Sequence, residues 1–226
     1  MGTPAVESFY AEASGYHATQ LEVPAQIFAW IARERARKIQ PLIDDSWRIL
    51  EFGAGTGLNL AALVATHRAA FDIAGHLAPR LADLGIAFHA ALAEAGEANF
   101  DCVLSHHSLE HTPDPAASLA AMRRALKPGG RLALFVPFER ERRYRRFDRS
   151  EPNHHLFSWN VQTIANLVET QGYRVEHAAL GAYGYERFAA IAAWRLGLSE
   201  PFYRAGLRLL RLARPVHEIR VIAQAV

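Results

Sequence analysis

A glycine-rich turn after a short apolar run limits the folds open to this 226-residue chain more than any other feature. The segment is Arg-Ile-Leu-Glu-Phe-Gly-Ala-Gly-Thr-Gly, residues 48–57. A strand that runs into such a turn and then into a helix opens a doubly wound α/β sheet. The turn brings a ligand against bare backbone N–H groups, because Gly53, Gly55 and Gly57 carry no side chain to obstruct it.

The rest of the chain continues this pattern of apolar runs alternating with helical periodicity. We predict strands at 48–52, 69–74, 86–90, 101–105, 131–137, 173–179 and 218–226. We predict helices at 21–39, 58–65, 79–84, 114–128 and 159–171, and two more within 185–214. Strands that alternate with helices indicate a parallel, doubly wound sheet.

We predict two regions along the chain. Residues 1–46 form an N-terminal cap-helix region that folds over the opening of the cofactor-binding site. Residues 47–226 form the cofactor-binding domain, which has a helical insertion at about 185–214.

Charge and cysteine content exclude several classes of protein. The formal net charge of +2 is too small to indicate nucleic-acid binding. A single cysteine, Cys102, excludes an internal disulfide framework and a multi-thiolate zinc site. The first twenty residues lack a basic segment followed by an apolar one, so we predict a cytoplasmic protein with no secretory signal.

Two acids flank the glycine turn and narrow the choice of ligand. A nicotinamide-dinucleotide fingerprint needs a glycine at position 58, where this chain has Leu58. Glu51, two residues before the first glycine, suits a ligand that carries an ammonium group rather than a pyrophosphate. Asp72, near the end of the second predicted strand, is placed to accept hydrogen bonds from a ribose diol.

Four segments in order resemble the motifs of class I S-adenosylmethionine-dependent methyltransferases, notably the type-11 and type-23 small-molecule enzymes. They are ILEFGAGTG, the acid of AFDIAG, FDCVLSHHSLEHTPDP and LKPGGRLALFVP. The likeness is close over residues 48–137 and looser through HHLFSWNVQTIANLVETQGYRV. It implies a Rossmann-like sheet of seven strands with an antiparallel last strand and helices on both faces. It also implies S-adenosyl-L-methionine as cofactor and S-adenosyl-L-homocysteine as product.

The same resemblance implies roles for individual residues. Glu51 and the three glycines would hold the methionine end of the cofactor, Asp72 its ribose, and Ile73 would pack on the adenine. The family's acid after the third strand is absent here, so backbone groups of Ala91 and Leu92 would contact the adenine instead. The full predicted cofactor set is Glu51, Gly53, Ala54, Gly55, Gly57, Asp72, Ile73, Ala91, Leu92, Ser105 and His106.

Histidines that follow the fourth predicted strand are the candidate catalytic residues. Methyl transfer to an O–H or N–H group requires removal of a proton, and an aligned base serves that end. We predict that His107 or His111 acts as the base or orients the acceptor; the alternative is that His111 caps or packs a structural turn. A metal site of these two histidines with Glu110 and Asp114 is a further alternative, but nothing in the spacing requires it, so we predict no metal.

Acceptor recognition is assigned to the arginine-rich segment and the histidines that follow it. Residues 139–149 contain six arginines against three acids, typical of a solvated loop or of a lid that recognises a carboxylate or phosphate. The predicted substrate-binding residues are Tyr144, Arg146, His154 and His155.

The arginine-bearing helices within 185–214 are basic and amphipathic. This pattern is typical of a helix packed on its own domain, of a subunit contact, or of peripheral contact with an anionic membrane. The predicted function is methylation of an oxygen or nitrogen on a small metabolite, sugar or lipid-linked intermediate. The alternatives are an NAD(P)-dependent oxidoreductase and a catalytically degenerate methyltransferase-like partner subunit.

Overall fold

In a computed structural model of the chain, structure is described for residues 23–139, 146–147 and 153–226. The main elements in chain order are α1 (Ala25–Ile39), β1 (Arg48–Phe52), β2 (His67–Phe71), α2 (Ala78–Asp83), β3 (Ala87–His89), β4 (Phe100–His106), α3 (Pro115–Ala125), β5 (Leu126–Pro137), α4 (Val161–Thr170), β6 (Tyr173–Tyr183), α5 (Glu186–Arg195), α6 (Glu200–Ala213) and β7 (Val216–Ala225).

The strands form one seven-stranded sheet in the order β3-β2-β1-β4-β5-β7-β6. Neighbouring strands among β1–β5 are parallel, whereas β7 is antiparallel to both β5 and β6. The predicted α/β class, strand number and antiparallel last strand are confirmed. Strand order reverses between β1 and β4, and at such a point the loops on the two sides diverge and leave a crevice at the carboxyl ends.

Hydrophobic side chains alternate along the strands and bury both faces of the sheet against helices. Leu50 lies on one face with Leu119 of α3 and Ile164 of α4. The neighbouring Ile49 lies on the other face, with Ile39 of α1 and Leu81 of α2. The helices therefore cover both faces, as predicted for a doubly wound sheet.

A third apolar cluster joins α1 to α5 and α6. Trp30 stacks on Tyr203 with ring centroids 5.8 Å apart, and Ile27, Ala190 and Leu207 are buried with them. The first described helix, α1, thus packs on helices from the far end of the described chain. Among the described residues, no helix combines the length and the apolar character needed to cross a membrane.

The helix predicted over residues 58–65 is wrong, because the chain makes a series of turns there. Side chains from elsewhere take the backbone groups that a helix would use. Val64 N–H donates to Gln40 Oε1 at 2.9 Å, and Arg68 Nη1 donates to the carbonyl oxygens of Leu60 and Ala61. One helical bond, from Ala61 N–H to the carbonyl of Gly57, remains.

The end of α3 also differs from the prediction. Asp114 caps α3, accepting from Ala117 N–H at 2.9 Å, and Pro115 occupies the first turn as expected. The helix ends at Ala125, and residues 126–130 already belong to β5, where a register shift separates Phe100 from Cys102 on the paired strand. The Pro-Gly-Gly segment is therefore the start of an irregular strand.

Candidate active site

A cavity of about 870 Å³ opens at the carboxyl ends of β1, β2 and β4. The glycine turn forms its base, while α1 and the connection from β6 to α5 form its walls. Eight of the residues predicted for the site line it: Gly53, Ala54, Gly55, Asp72, Ile73, His106, His107 and His111.

Other predicted site residues lie elsewhere. Those outside the lining of the cavity are Glu51, Gly57, Ala91, Leu92, Ser105, Arg146, His154 and His155. Tyr144 falls outside the described residues. The predicted adenine contacts at Ala91 and Leu92 are thus not brought to the cavity, and Glu94 Oε2 instead accepts from Ala90 N–H beside them.

Two of the turn glycines are required because neighbouring side chains of the protein leave no room for a Cβ. The approach of a ligand is not the reason at these two positions. Gly53 has a φ of +71°, and a Cβ there would lie 2.4 Å from the Cβ of Ser108. Gly57 has a φ of +76°, and its Cβ would lie 2.6 Å from a methyl of Leu81. Ser108 Oγ also donates to the carbonyl of Phe52 at 2.8 Å, which fixes the turn against the segment after β4.

Asp72 is the second support of the turn. Its Oδ2 accepts from Gly55 N–H at 2.7 Å and its Oδ1 accepts from Ala74 N–H at 2.9 Å. A carboxylate has about four lone-pair sites, so these two bonds leave capacity for hydroxyl groups in the cavity. Ile73, 48% exposed, adds an apolar surface next to it.

Glu51 lies behind the cavity wall and is fully buried. Asn59, which lines the cavity, donates from Nδ2 to Glu51 Oε1, whereas Oε2 has no hydrogen-bond partner among the described residues. Burial raises the pKa of Glu51 to about 8, against the opposing effect of the Asn59 hydrogen bond. An unsatisfied buried carboxylate oxygen at this point suits a ligand with an ammonium group.

A buried network of charges connects α1 to the ends of β4 and β7. Arg35 Nη1 donates to Asn59 Oδ1 at 2.9 Å and lies 3.2 Å from His106 Nδ1. Lys38 Nζ lies 2.7 Å from His106 Nε2 and 2.9 Å from Glu218 Oε1. Burial, and then the charges of Lys38 and Arg35, place the pKa of His106 well below its ordinary value, so this ring is neutral.

His107 lines the cavity, and the carboxylate of Glu218 orients its imidazole ring. Its Nε2 lies 3.3 Å from Glu218 Oε2, and its ring stacks on Tyr183 with centroids 4.3 Å apart. Burial lowers the pKa of His107 although Glu218 acts in the opposite direction, so the ring is neutral at neutral pH. A neutral imidazole held by a carboxylate is an arrangement that can accept a proton.

His111 borders the cavity beside a second buried carboxyl group. Burial lowers the pKa of His111 to about 4 and raises the pKa of Glu110 to about 7. His155 lies edge-on to His111 with ring centroids 4.9 Å apart, and its Nδ1 is 2.7 Å from Glu139 Oε1. The predicted catalytic His111 and the predicted substrate-binding His155 are therefore in contact, although only His111 lines the cavity.

Sequence reasoning missed Arg35, Lys38, Tyr183 and Glu218. Arg35 and Lys38 follow Ile31 by four and seven residues, so they fall on the apolar stripe of α1. Two cations on a buried stripe were a signal that the sequence contained. Tyr183 and Glu218 lie in strands without any local pattern that marks them.

Comparisons with known proteins place this geometry in context. Residues 20–178 match the methyltransferase domain family. The ubiquinone biosynthesis O-methyltransferase of Xylella fastidiosa is 42% identical over 98 residues, covering 38% of this chain and 39% of that protein. The chain thus aligns with well under half the length of this relative.

Solved structures show the same fold at low sequence identity. The 1,6-didemethyltoxoflavin-N1-methyltransferase of Burkholderia thailandensis, with bound 1,6-didemethyltoxoflavin and S-adenosylhomocysteine, has a TM-score of 0.63 and 18% identity, covering 100% of this chain and 92% of that one. A possible methyltransferase of Bacillus halodurans has a TM-score of 0.61 and 16% identity, covering 85% and 97% of the two chains.

Proposed function

The chain belongs to the class I S-adenosylmethionine-dependent methyltransferase family, and from that premise we propose that it methylates an oxygen or a nitrogen of a small acceptor. The observation that carries this proposal is the cavity in which the glycine turn and Asp72 face the neutral His107. A donor and an acceptor bound together in one cavity can be aligned for in-line methyl transfer. A metabolite, a sugar or a lipid-linked intermediate is an acceptor of this class.

The residues at the base of the cavity fit S-adenosylmethionine. Asp72 has remaining lone pairs for the ribose hydroxyls, and Ile73 gives an apolar surface for the adenine. Behind this lining, the unpartnered oxygen of Glu51 is a buried acceptor that suits the ammonium group. When bound, the cofactor supplies an electrophilic methyl group on a sulfonium.

The acceptor side is formed by the walls of the cavity. Phe28 and Ile31 of α1 and Phe188 of α5 line it with apolar side chains that disfavour water, while Arg35 and Tyr183 offer polar contacts. His107, oriented by Glu218, takes the proton that an O–H or N–H acceptor loses. Water exclusion matters because water competes with the acceptor as a nucleophile.

Two alternative functions are an NAD(P)-dependent oxidoreductase and a catalytically degenerate partner subunit. Leu58 lines the cavity at the position where a dinucleotide-binding turn has its third glycine, which disfavours an NAD(P)-dependent oxidoreductase. A degenerate partner subunit would keep the fold and lose the cofactor contacts. The names of the relatives, an O-methyltransferase and an N1-methyltransferase, support oxygen or nitrogen as the acceptor atom.

Ligand binding tests the cofactor assignment. We expect S-adenosylhomocysteine to raise the melting temperature by roughly 5–10 °C at 100 times its Kd, which corresponds to about 2.7 kcal/mol. NAD and NADP serve as controls and leave it unchanged. A shift with a dinucleotide alone would establish the oxidoreductase, and flat curves for all ligands with cofactor-free protein would favour the partner subunit.

Measurement of enzymatic turnover tests the role of His107 as the base. S-Adenosylhomocysteine formation is measured with a panel of phenols and small amines, and the best acceptor is carried to His107→Gln. We expect kcat to fall by about 100-fold at saturating acceptor, within the range typical of a general base. Unchanged kcat would remove His107 from the mechanism.

A further inference from the structure

Glu110 is a buried carboxyl group that the proposed methyl transfer does not use. It lies in the short 3-10 turn Leu109–His111 after β4, and its side chain is fully buried. Neither of its carboxylate oxygens has a hydrogen-bond partner among the described residues. Buried carboxylates are normally hydrogen-bonded, paired or bound to a cation, so these two oxygens point to a missing ligand.

Two imidazoles converge on this carboxyl group. Glu110, His111 and His155 each offer one ligand atom, and the three atoms lie within 4.8 Å of one another. His111 Nε2 is 3.9 Å from Glu110 Oε1. The backbone brings His155 to this place, because the N–H groups of Leu156 and Phe157 both donate to the carbonyl oxygen of Glu110.

Glu139 supplies the support that a ligating histidine usually has. Its Oε1 is 2.7 Å from His155 Nδ1. In metal sites a histidine commonly donates one ring N–H to a carboxylate, which orients the ring for ligation through the other nitrogen. Glu139 is thus a positioning residue for His155.

A second cluster of similar composition is a poorer site for a cation. His106, His107 and Glu218 also place ligand atoms within 4.8 Å. The Glu218 oxygens, however, are 2.9 Å from Lys38 Nζ and 2.9 Å from Arg220 Nε. Two cationic groups already neutralise that carboxylate and repel a metal ion, whereas Glu110 has no lysine or arginine paired with it in the described parts of the chain.

We propose that Glu110, His111 and His155 form a binding site for a divalent transition-metal ion, with Glu139 orienting His155. Two imidazoles and one carboxylate favour Mn²⁺, Fe²⁺, Co²⁺ or Zn²⁺ over Mg²⁺ and Ca²⁺, which prefer oxygen ligands. Three protein ligands leave coordination positions open. Since His111 lines the cavity, an acceptor bound there with oxygen donors would approach the ion on this side; this last role rests on the proposed function.

The test is metal binding by the untagged 226-residue chain after treatment with EDTA and desalting, with no cofactor or acceptor present. Co²⁺ is titrated and followed by its visible absorption, and Zn²⁺ by calorimetry. We expect one ion per chain at micromolar affinity or tighter. Glu110→Gln and His155→Gln each weaken binding by at least about tenfold, and Glu139→Gln by about tenfold.

Control variants separate this site from the alternatives. His177→Gln, an exposed histidine on β6, leaves affinity within about twofold. His107→Gln, in the second cluster, weakens binding less than His155→Gln does, although His107 Nδ1 is 4.0 Å from Glu110 Oε1. The proposal would be overturned if the wild type bound no metal ion, or if all variants bound it equally. It would also be overturned if His107→Gln lost metal binding while His155→Gln retained it. Thermal unfolding of every variant confirms that it is folded.

Binding of S-adenosylhomocysteine is measured on the same variants. Absence of metal binding by the wild type, with intact cofactor binding, would overturn the metal site alone and leave the methyltransferase proposal standing. Metal binding by the wild type without any binding of S-adenosylhomocysteine would overturn the methyltransferase proposal and leave the metal site standing.

Discussion

Lys38 Nζ lies 2.9 Å and 3.0 Å from the two carboxylate oxygens of Glu218, so a buried ion pair joins the first described helix to the last strand. Burial lowers the pKa of Lys38 to about 8. Burial would raise the pKa of Glu218, but hydrogen bonds from His106 and His107 and the charge of Lys38 hold it well below its ordinary range. The pair therefore keeps a carboxylate ionised beneath His107.

Removal of one partner of this pair is expected to be costly. Lys38→Met leaves Glu218 buried with fewer counter-charges and should reduce the free energy of unfolding by about 3 kcal/mol. The matched control is Arg33→Met, because Arg33 pairs with Glu200 while 46% exposed, and such pairs contribute under about 1 kcal/mol. Urea unfolding at pH 7 measures both, and equal losses would show that the buried pair has no special role.

The buried Glu51 predicts a pH dependence of stability. Its pKa of about 8 in the folded state lies above the ordinary value of 4.5, so the folded state binds the proton more tightly than the unfolded state. The resulting stabilisation is complete below pH 4.5 and is lost as the pH rises through about 8. Relative to Glu51→Gln, the wild type should lose up to about 1.4 kcal/mol per pH unit in this window. Urea unfolding at several pH values tests it, and parallel curves for the two proteins would contradict it.

Two glycines offer a matched comparison of the same substitution. Gly53→Ala places a Cβ against Ser108 at a positive φ and should destabilise the protein by about 2–4 kcal/mol. Gly206→Ala, in α6 with no atom within 4 Å of the added Cβ, should stabilise it by about 0.5–1 kcal/mol. Thermal unfolding measures the change in stability of both variants in one experiment. If Gly53→Ala left the stability unchanged, the turn would be able to shift away from Ser108.

Asp72→Asn separates support of the turn from contact with a ribose. The amide can accept only one of the two bonds from Gly55 and Ala74, so stability should fall by about 1–3 kcal/mol. If Asp72 also contacts the ribose, affinity for adenosine falls more than affinity for adenine, by about tenfold or more. Calorimetry with the two ligands distinguishes the outcomes, and equal losses would limit Asp72 to supporting the turn.

The outer face of α6 predicts contact with an anionic membrane, one of the three alternatives for the helices within 185–214. Phe202, Leu209 and Leu212 follow one helical stripe and are 62%, 67% and 79% exposed, with the exposed Arg208 beside them. We expect co-sedimentation with phosphatidylglycerol vesicles, less with phosphatidylcholine vesicles, and loss of binding in Leu209→Glu/Leu212→Glu. Val64→Glu, an exposed apolar position elsewhere, should bind as the wild type does. Protein that stays in the supernatant with both lipids would contradict the prediction.

The fold was largely predictable because local patterns specify it. The run into Gly53, the cap at Asp114 and the apolar strands are short-range signals, and the sheet follows from their alternation. The helix predicted at 58–65 is wrong because Gln40 and Arg68, which are distant in sequence or belong to another element, bind its backbone groups. No local pattern reports such bonds.

The candidate site was predictable on one side only. Gly55 and Asp72 belong to a contiguous motif, and the structure brings them to the cavity as expected. Glu218 is 111 residues from His107, and His155 is 44 residues from His111, so their meeting depends on the antiparallel β7 and on the segment after β5. Pairings of this kind follow from tertiary structure alone.

The division of the cavity between the sheet and its flanking helices has a consequence for how such a protein changes over time. The turn and strand ends at residues 52–73 are rigidly interlocked through Ser108 and Asp72, whereas α1 and residues 183–188 form walls outside the central strands. Apart from Arg35, which bonds to Asn59, and Tyr183, which stacks on His107, wall residues can be substituted without disturbing the interlocked part. New acceptor preferences are therefore accessible to evolution, and to directed substitution of residues 187–188, while the turn and Asp72 stay intact.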